Sequence, residues 1–294
     1  MSRRYTQVDV FSARAGDGNP LAVVFDADDL DGAAMQRFAA WMNLSETGFL
    51  LAPTDARADL RVRIFTPRRE LPFAGHPTVG AAWAALDARP DWQARRALTL
   101  ECAAGLLGVR IEGEGAARRV FVQAPRAAFA DAAGERDAIA RALGAEPLHD
   151  PAPCIVDNGP RWLLAELAAA DEVRRLQPDF AAVAALTLRV DAVGLAVFAR
   201  THAGDAAFVV RAFCPADGIP EDPVTGSANA AIGAFLHARG ALGATGPRWR
   251  ASQGREVGRD GIVEVDVDPA SGTVAIGGRC IGCIRGTLDF GDDA

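Results

Sequence analysis

The chain has 294 residues, a net charge of −7 and no strongly basic run, so nucleic acid is not an expected partner. Its 31 basic residues are all arginine. The absence of lysine excludes Schiff-base chemistry, and with it pyridoxal-phosphate and lysine-aldolase reactions, and it removes the lysine of a phosphate-binding P-loop.

The first half of the chain alternates strand and helix patterns. Alternating or continuous apolar runs predict strands at Tyr5–Phe11, Leu21–Phe25, Thr47–Leu51, Leu60–Phe65 and Arg119–Gln123. Apolar residues at helical spacing predict helices over Asp31–Met42 and from about Pro77 to Leu86. A turn at Gly16–Pro20 separates the first two strands.

The second half follows a similar order. It contains predicted strands at Arg161–Ala165, Gly194–Phe198, Ala207–Arg211 and Thr273–Ile276. Helices are predicted near Asp179–Ala185 and from about Ser227 to Ala238.

Two segments, Phe65–Leu86 and Phe213–Leu236, match in order: each passes from Phe-x-Pro through a loop to a glycine and then to a helix rich in small apolar residues. Such helices suit burial on all sides. The pattern predicts an internal duplication with an α+β fold, in which each of two domains wraps strands around one central helix. We place these domains at residues 1–126 and 127–281, and leave open whether the last strand, about 282–294, returns to the first domain.

The starts of the two central helices are candidate anion-binding sites. Gly75 precedes His76 and Pro77 at the first, where proline is expected at the first helical position. Thr225, Gly226 and Ser227 offer a hydroxyl cap at the second. Since the first N–H groups of a helix lack helical partners, two such ends could hold a carboxylate without any lysine. The alternative is that both are merely well-capped helices.

Three ionisable side chains could carry chemistry. His76 lies at the first helix start and could contact substrate, although a structural hydrogen bond would also explain it. Asp222 precedes the second helix and could orient substrate or share a proton with it; the alternative is that it only caps the helix. Glu46 precedes an apolar strand; partial burial there would raise its pKa towards the range useful for proton transfer, whereas a capping or solvated glutamate is the alternative.

Other chemistries receive no support from the sequence. No apolar run reaches the roughly 18 residues of a membrane span, and the first residues lack the apolar core of a secretory signal, so we expect a cytoplasmic protein without a membrane partner. The five cysteines are scattered and expected to be reduced, and the four histidines lack metal-ligand spacing. We therefore expect no metal. No Gly-x-Gly-x-x-Gly follows an early strand, so no dinucleotide cofactor is expected either.

A set of motifs spans nearly the whole chain: Val8–Phe11 with Gly18–Pro20, Asn43–Gly48, Phe65–Pro67 with Leu71–His76, Glu221–Asn229, Gln253–Gly254 with Gly258–Arg259, and Ile276–Gly278. Together these motifs resemble the phenazine-biosynthesis (PhzF-like) family. The resemblance implies the diaminopimelate-epimerase-like fold, two pseudo-symmetric barrel domains with the active site between them, and commonly a homodimer.

The same resemblance implies a cofactor-independent isomerase acting on a small carboxylate. Glu46 matches the family's proton-transferring glutamate, and the substrate contacts fall on His76, Asp222 and Ser227, with Gly75 and Gly226 at the turns. Related racemases carry a cysteine at the start of each central helix, where His76 and Ser227 stand here, so a two-thiol racemase is not expected.

Two other functions compete with this interpretation. A serine hydrolase built from Ser227, His76 and Asp222 lacks the Gly-x-Ser-x-Gly nucleophile elbow. A non-catalytic protein that binds a small carboxylate remains an alternative.

Overall fold

A computed structural model describes residues 2–202 and 204–290. The strands are β1 (Ser2–Val10), β2 (Asn19–Val24), β3 (Glu46–Leu51), β4 (Leu60–Phe65), β5 (Glu70–Leu71), β6 (Ala97–Cys102), β7 (Gly105–Glu112), β8 (Arg119–Gln123), β9 (Ala128–Asp131), β10 (Cys154–Asp157), β11 (Arg161–Glu166), β12 (Gly194–Arg200), β13 (Phe208–Cys214), β14 (Ile219–Asp222), β15 (Arg248–Gln253), β16 (Gly261–Val267), β17 (Val274–Gly278) and β18 (Cys280–Asp289). The helices are α1 (Gly32–Met42), α2 (Gly75–Ala88), α3 (Arg136–Leu143), α4 (Ala170–Arg175), α5 (Phe180–Arg189) and α6 (Gly226–Ala238).

The chain divides into two compact units. The first unit comprises the described residues of Met1–Gln123 and Gly277–Ala294, and the second unit is Ala124–Ile276. The sequence placed these divisions after residues 126 and 281, a few residues further along the chain. Residues 291–294 of the strand considered at about 282–294 lie outside the described residues.

In the first unit, strands surround the helix α2. β18 pairs with β1, β1 with β2, β3 with β4, β6 with β7 and β7 with β8, all antiparallel. The pairs β2–β3 and β4–β6 are parallel. α2 contacts strands on several sides, including β1, β2, β3 and β8, and every residue from Gly75 to Leu86 is buried. Its small residues allow that close packing.

The second unit repeats this plan around α6. β10 pairs antiparallel with β9 and β11, β12 with β13, and β15 with β16. The pairs β11–β12 and β13–β15 are parallel. α6 contacts β10, β11 and β16, and its side chains are buried from Ala228 to Leu236. Each unit therefore wraps mostly antiparallel strands around one central helix, and the predicted α+β fold is confirmed.

Local capping chemistry sets several helix ends. The Asp31 carboxylate accepts a hydrogen bond from the Ala34 N–H at 2.7 Å at the start of α1, and the Asp179 carboxylate accepts two at the start of α5. Asn43 ends α1 in the left-handed conformation at φ 52°.

Some predicted bounds were wrong. α2 begins at Gly75, so Pro77 is the third helical residue and not the first, and α5 extends to Arg189 rather than Ala185. No helix among the described residues is long and apolar enough to cross a membrane.

Candidate active site

Glu46 and His76 lie together in the first unit. α1 ends at Asn43, and the chain then turns so that Glu46 begins β3, directly opposite Leu21 of β2. His76 is the second residue of α2. The distance between His76 Nε2 and Glu46 Oε2 is 3.5 Å, and the two side chains are 7% and 17% exposed. Both predicted residues are thus brought to one place by elements that are 30 positions apart in the sequence.

The environment of Glu46 favours its neutral form. Burial raises the pKa of the carboxyl from 4.5 to about 7, and a hydrogen bond with Ser45 opposes part of this rise. Oε2 accepts no hydrogen bond from any residue that the structure describes. A carboxyl with such a pKa is partly ionised near neutral pH, so it can accept a proton and return it.

The start of α2 adds positive potential beside this pair. Ala74 is the N-cap and provides no side-chain cap, and the first turn contains no acidic residue. Gly75 and His76 are buried at this end of the helix. Because the first N–H groups of a helix have no helical acceptors and its dipole is positive there, this end can stabilise negative charge.

In the second unit, hydrogen bonds join Asp222, Thr225 and Gln253. The Thr225 hydroxyl donates to Asp222 Oδ2 at 2.5 Å. The Gln253 amide Nε2 donates to Thr225 Oγ1 at 2.8 Å and to the Asp222 carbonyl at 3.0 Å. Gln253 Oε1 accepts from the Thr225 N–H at 3.0 Å and from the Asn229 side chain at 3.1 Å. Gln253 is fully buried, so this network fixes the turn before α6.

Gly254 allows the chain after β15 to lie close to the turn that precedes α6. Its φ is +100°, and a Cβ on it would lie 2.5 Å from the Pro223 carbonyl oxygen. Glycine is therefore required after Gln253, because only glycine combines a positive φ with so close a contact to the Pro223 carbonyl oxygen.

Gly226 and Ser227 are the first two residues of α6. The Trp162 indole Nε1 donates to Ser227 Oγ at 3.1 Å, and the Asn158 side chain donates to the Ser227 carbonyl at 3.0 Å. The predicted hydroxyl cap is wrong: Thr225 is the N-cap residue, but its side chain makes no capping hydrogen bond. Its hydroxyl is directed to Asp222 instead, because Gln253 donates to its oxygen.

The structure therefore groups the predicted residues into two sets, Glu46 with Gly75 and His76 in the first unit, and Asp222 with Thr225, Gly226 and Ser227 in the second. Sequence reasoning assigned no role to Gln253, Trp162 or Asn158. The Gln-Gly pair was the available signal for Gln253, and the turn that ends at Pro160, two residues before Trp162, was the signal for Trp162.

The described residues contain no group of three or more His, Cys, Asp and Glu side chains that could hold a metal ion. The five cysteines are free thiols, four of them buried. Burial raises the pKa of the Cys280 thiol to about 12, so Cys280 is a poor nucleophile.

Comparison with known proteins gives a consistent result. The family model described as phenazine biosynthesis-like protein matches residues 8–286. The chain is 36% identical over 260 residues to a trans-2,3-dihydro-3-hydroxyanthranilate isomerase of Pseudomonas fluorescens, and the match covers 88% of each chain.

Solved structures agree with this match. The crystal structure of a PhzF-family phenazine biosynthesis protein of Bacillus anthracis is similar with a TM-score of 0.84 at 25% identity, covering 99% of this chain and 100% of that one. A hydroxyproline epimerase of Agrobacterium vitis is similar with a TM-score of 0.68 at 15% identity, covering 98% and 92% of the two chains. At that identity the likeness concerns the fold alone, which is the diaminopimelate-epimerase-like fold.

Proposed function

The chain belongs to the phenazine biosynthesis-like family of isomerases, and from this premise we propose that it shifts a proton on a small carboxylate substrate without a cofactor, with Glu46 as its general acid/base. The observation that carries the proposal is the largely buried Glu46 carboxyl, 3.5 Å from His76 at the N-terminus of α2, with a pKa raised to about 7. No electron leaves the substrate in such a reaction, so proton transfer and charge stabilisation suffice.

In the proposed reaction, ionised Glu46 removes a proton from a carbon of the substrate as that C–H bond breaks. The electron pair moves into the conjugated system of the substrate, and the negative charge that develops is stabilised by the N-terminus of α2 and by a hydrogen bond from His76. Glu46 then returns the proton to another carbon on the same face, which regenerates its carboxylate. The proton that Glu46 removes is the one it returns, so atoms and charges balance without a second reactant.

The residues of the second unit are the proposed substrate contacts there. Asp222 Oδ2 accepts a hydrogen bond from the Thr225 hydroxyl at 2.5 Å. We propose that Asp222 also orients a polar or amino group of the substrate. Ser227 and the N–H groups beside Gly226 are proposed to bind a carboxylate, because the first turn of a helix provides only donors.

The proposed substrate class follows the named relative. The protein of Pseudomonas fluorescens is named for trans-2,3-dihydro-3-hydroxyanthranilate, which carries a carboxylate and an amine on a ring with saturated carbons. We propose a small, amino-substituted cyclic carboxylate for this chain as well.

The test is solvent-deuterium incorporation into trans-2,3-dihydro-3-hydroxyanthranilate, measured by mass spectrometry in D₂O. The Glu46→Gln variant should lose about 100-fold or more of the exchange rate, because it removes the group that transfers the proton. Glu114→Gln is the matched control, since Glu114 is an exposed glutamate of the same unit that pairs with Arg96. A folded Glu46→Gln protein that exchanges at the wild-type rate would contradict the proposal.

A further inference from the structure

Two hydroxyl groups at the start of α6 are each fixed by an N–H donor from another strand. Gln253 Nε2 donates to Thr225 Oγ1 at 2.8 Å, and Trp162 Nε1 donates to Ser227 Oγ at 3.1 Å. An indole N–H can only donate, so the Ser227 oxygen must act as the acceptor in this contact. Each hydroxyl therefore keeps its own proton for a different partner.

The two hydroxyl protons differ in their hydrogen-bond acceptors. The Thr225 proton is used inside the protein, because its hydroxyl donates to Asp222 Oδ2 at 2.5 Å. The Ser227 hydroxyl donates to no residue that the structure describes, and the residue is only partly buried. A hydrogen bond received from Trp162 polarises the Ser227 O–H group and makes it a better donor.

The hairpin formed by β10 and β11 holds Ser227 at two atoms. Trp162 lies opposite Val156 in the β10–β11 pair, which holds its backbone, and the residue is only 3% exposed. Asn158, 2% exposed, donates to the Ser227 carbonyl at 3.0 Å. Because Ser227 is held both at its backbone carbonyl and at its hydroxyl oxygen, its hydroxyl group has little freedom to exchange its accepting and donating directions.

We propose that Trp162 is a positioning residue that makes Ser227 a hydrogen-bond donor, and that the start of α6 thereby selects an ionised carboxylate over the isosteric carboxamide. This inference rests on the proposed function and extends it to charge selectivity. Both oxygens of a carboxylate can accept hydrogen bonds from Ser227 and from the first N–H groups of α6. The NH₂ group of a carboxamide is itself a donor, so it would face these donors without an acceptor.

The experiment compares binding of 3-hydroxyanthranilate and of its carboxamide by calorimetry. This aromatic compound keeps the carboxylate and the amine but has no proton on a saturated carbon, so binding is measured without turnover. Wild-type protein should prefer the carboxylate. Trp162→Phe, which keeps an aromatic ring and removes the N–H, should weaken carboxylate binding about 2- to 10-fold, the effect of one hydrogen bond, and weaken carboxamide binding less.

The double-mutant cycle separates this role from general packing. In a Ser227→Ala background, Trp162→Phe should cause no further loss of carboxylate affinity, because the two residues act through one hydroxyl. Trp249→Phe is the matched control: this buried tryptophan of β15 packs on Phe208 with ring centroids 5.6 Å apart, and its indole donates to no described residue. Additive losses, equal losses for both ligands, or wild-type protein that binds both ligands equally or neither would overturn the inference.

A second measurement needs no change at Trp162. In protein labelled with ¹⁵N-tryptophan, the Trp162 indole N–H resonance should shift when 3-hydroxyanthranilate binds the wild type and should not shift in Ser227→Ala; an unchanged wild-type resonance would overturn the inference. Equilibrium binding does not require proton transfer by Glu46. If the double-mutant cycle fails while deuterium exchange still depends on Glu46, only the role of Trp162 is refuted. If the cycle succeeds while exchange does not depend on Glu46, only the proposed reaction is refuted.

Discussion

The two units begin their first parallel strand pair with different residues. In the first unit, β2 and β3 pair from Leu21 opposite Glu46. In the second unit, β11 and β12 pair from Trp162 opposite Gly194. By register, Gly194 is therefore the counterpart of Glu46, and Trp162 is the counterpart of Leu21. The position that carries an ionisable carboxyl in one unit carries no side chain in the other.

Space explains why the second unit has no side chain at that position. A Cβ on Gly194 would lie 2.6 Å from the Trp162 ring, 2.6 Å from the Phe213 carbonyl oxygen and 2.7 Å from Cys214 Sγ. The tryptophan ring that donates to Ser227 thus fills the room that a second acid/base would need. The duplication supports the proposal of one proton-transferring residue, because only one copy retains space for it.

A second duplicated feature is an arginine that stacks on a phenylalanine and pairs with a glutamate. Arg63 lies 5.1 Å from the Phe65 ring centroid and binds Glu70 through two hydrogen bonds of 2.7 Å. In the second unit, Arg211 lies 5.0 Å from the ring centroid of Phe213 and binds Glu221 at 2.9 and 2.7 Å.

The copies of this feature differ in burial. The side chains of Arg63 and Glu70 are 22% and 36% exposed, whereas those of Arg211 and Glu221 are 6% and 4% exposed. Arg211 also donates to the carbonyls of residues 173 and 176. Although the two ion pairs have the same geometry, the loss of one should therefore change the free energy of unfolding by a different amount in each unit.

The largest expected effect tests that difference. Glu221→Gln should destabilise the protein by about 3–5 kcal/mol, because it leaves the Arg211 charge buried without its carboxylate. Glu70→Gln, the matched change in the first unit, should cost less than about 1 kcal/mol, since solvent screens an exposed pair. The measurement is denaturant unfolding followed by circular dichroism. Equal losses in the two variants would show that burial does not separate the two copies.

The next effect concerns Glu46 and pH. Its pKa is raised in the fold from 4.5 to about 7, so the native state favours the protonated carboxyl and loses stability as pH rises between these two values. Glu46→Gln removes this dependence. Relative to wild type, the variant should gain about 3 kcal/mol between pH 4 and pH 8, from roughly 1.4 kcal/mol per pKa unit.

Unfolding free energies of both proteins at four or five pH values check this expectation. The same series on Glu114→Gln is the control, because Glu114 is 65% exposed and pairs with Arg96 at the surface. A difference between wild type and Glu46→Gln that stays constant with pH would mean that the carboxyl ionises as easily in the fold as in water.

Local chemistry made much of this fold predictable. The apolar spacing over Asp31–Met42 identified α1, and β4 and β8 have the bounds that the apolar patterns predicted. The matched segments before α2 and α6 predicted the duplication, and the family resemblance singled out Glu46, His76, Asp222 and Ser227, whose roles stay predictions.

What escaped prediction depends on contacts between distant parts of the chain. Trp162 and Ser227 are 65 positions apart, and Gln253 lies 28 positions after Thr225. Only the parallel register of β11 with β12 shows that Gly194 corresponds to Glu46. Periodicity reports which face of an element is apolar, but it cannot report which side chain of a distant strand meets a given hydroxyl.

The smallest expected effect tests the steric part of the comparison. Gly194→Ala adds one methyl group where the nearest atoms include the Phe213 carbonyl oxygen at 2.6 Å, which belongs to the backbone and cannot rotate away. Such overpacking should cost about 1–3 kcal/mol of unfolding free energy. Gly108→Ala is the control, because Gly108 lies on β7 with no atom within 4 Å of the added Cβ, and it should change stability by less than about 0.5 kcal/mol. If the two variants unfold alike, the second unit has room for a side chain opposite Trp162, and lack of space does not explain why it carries no counterpart of Glu46.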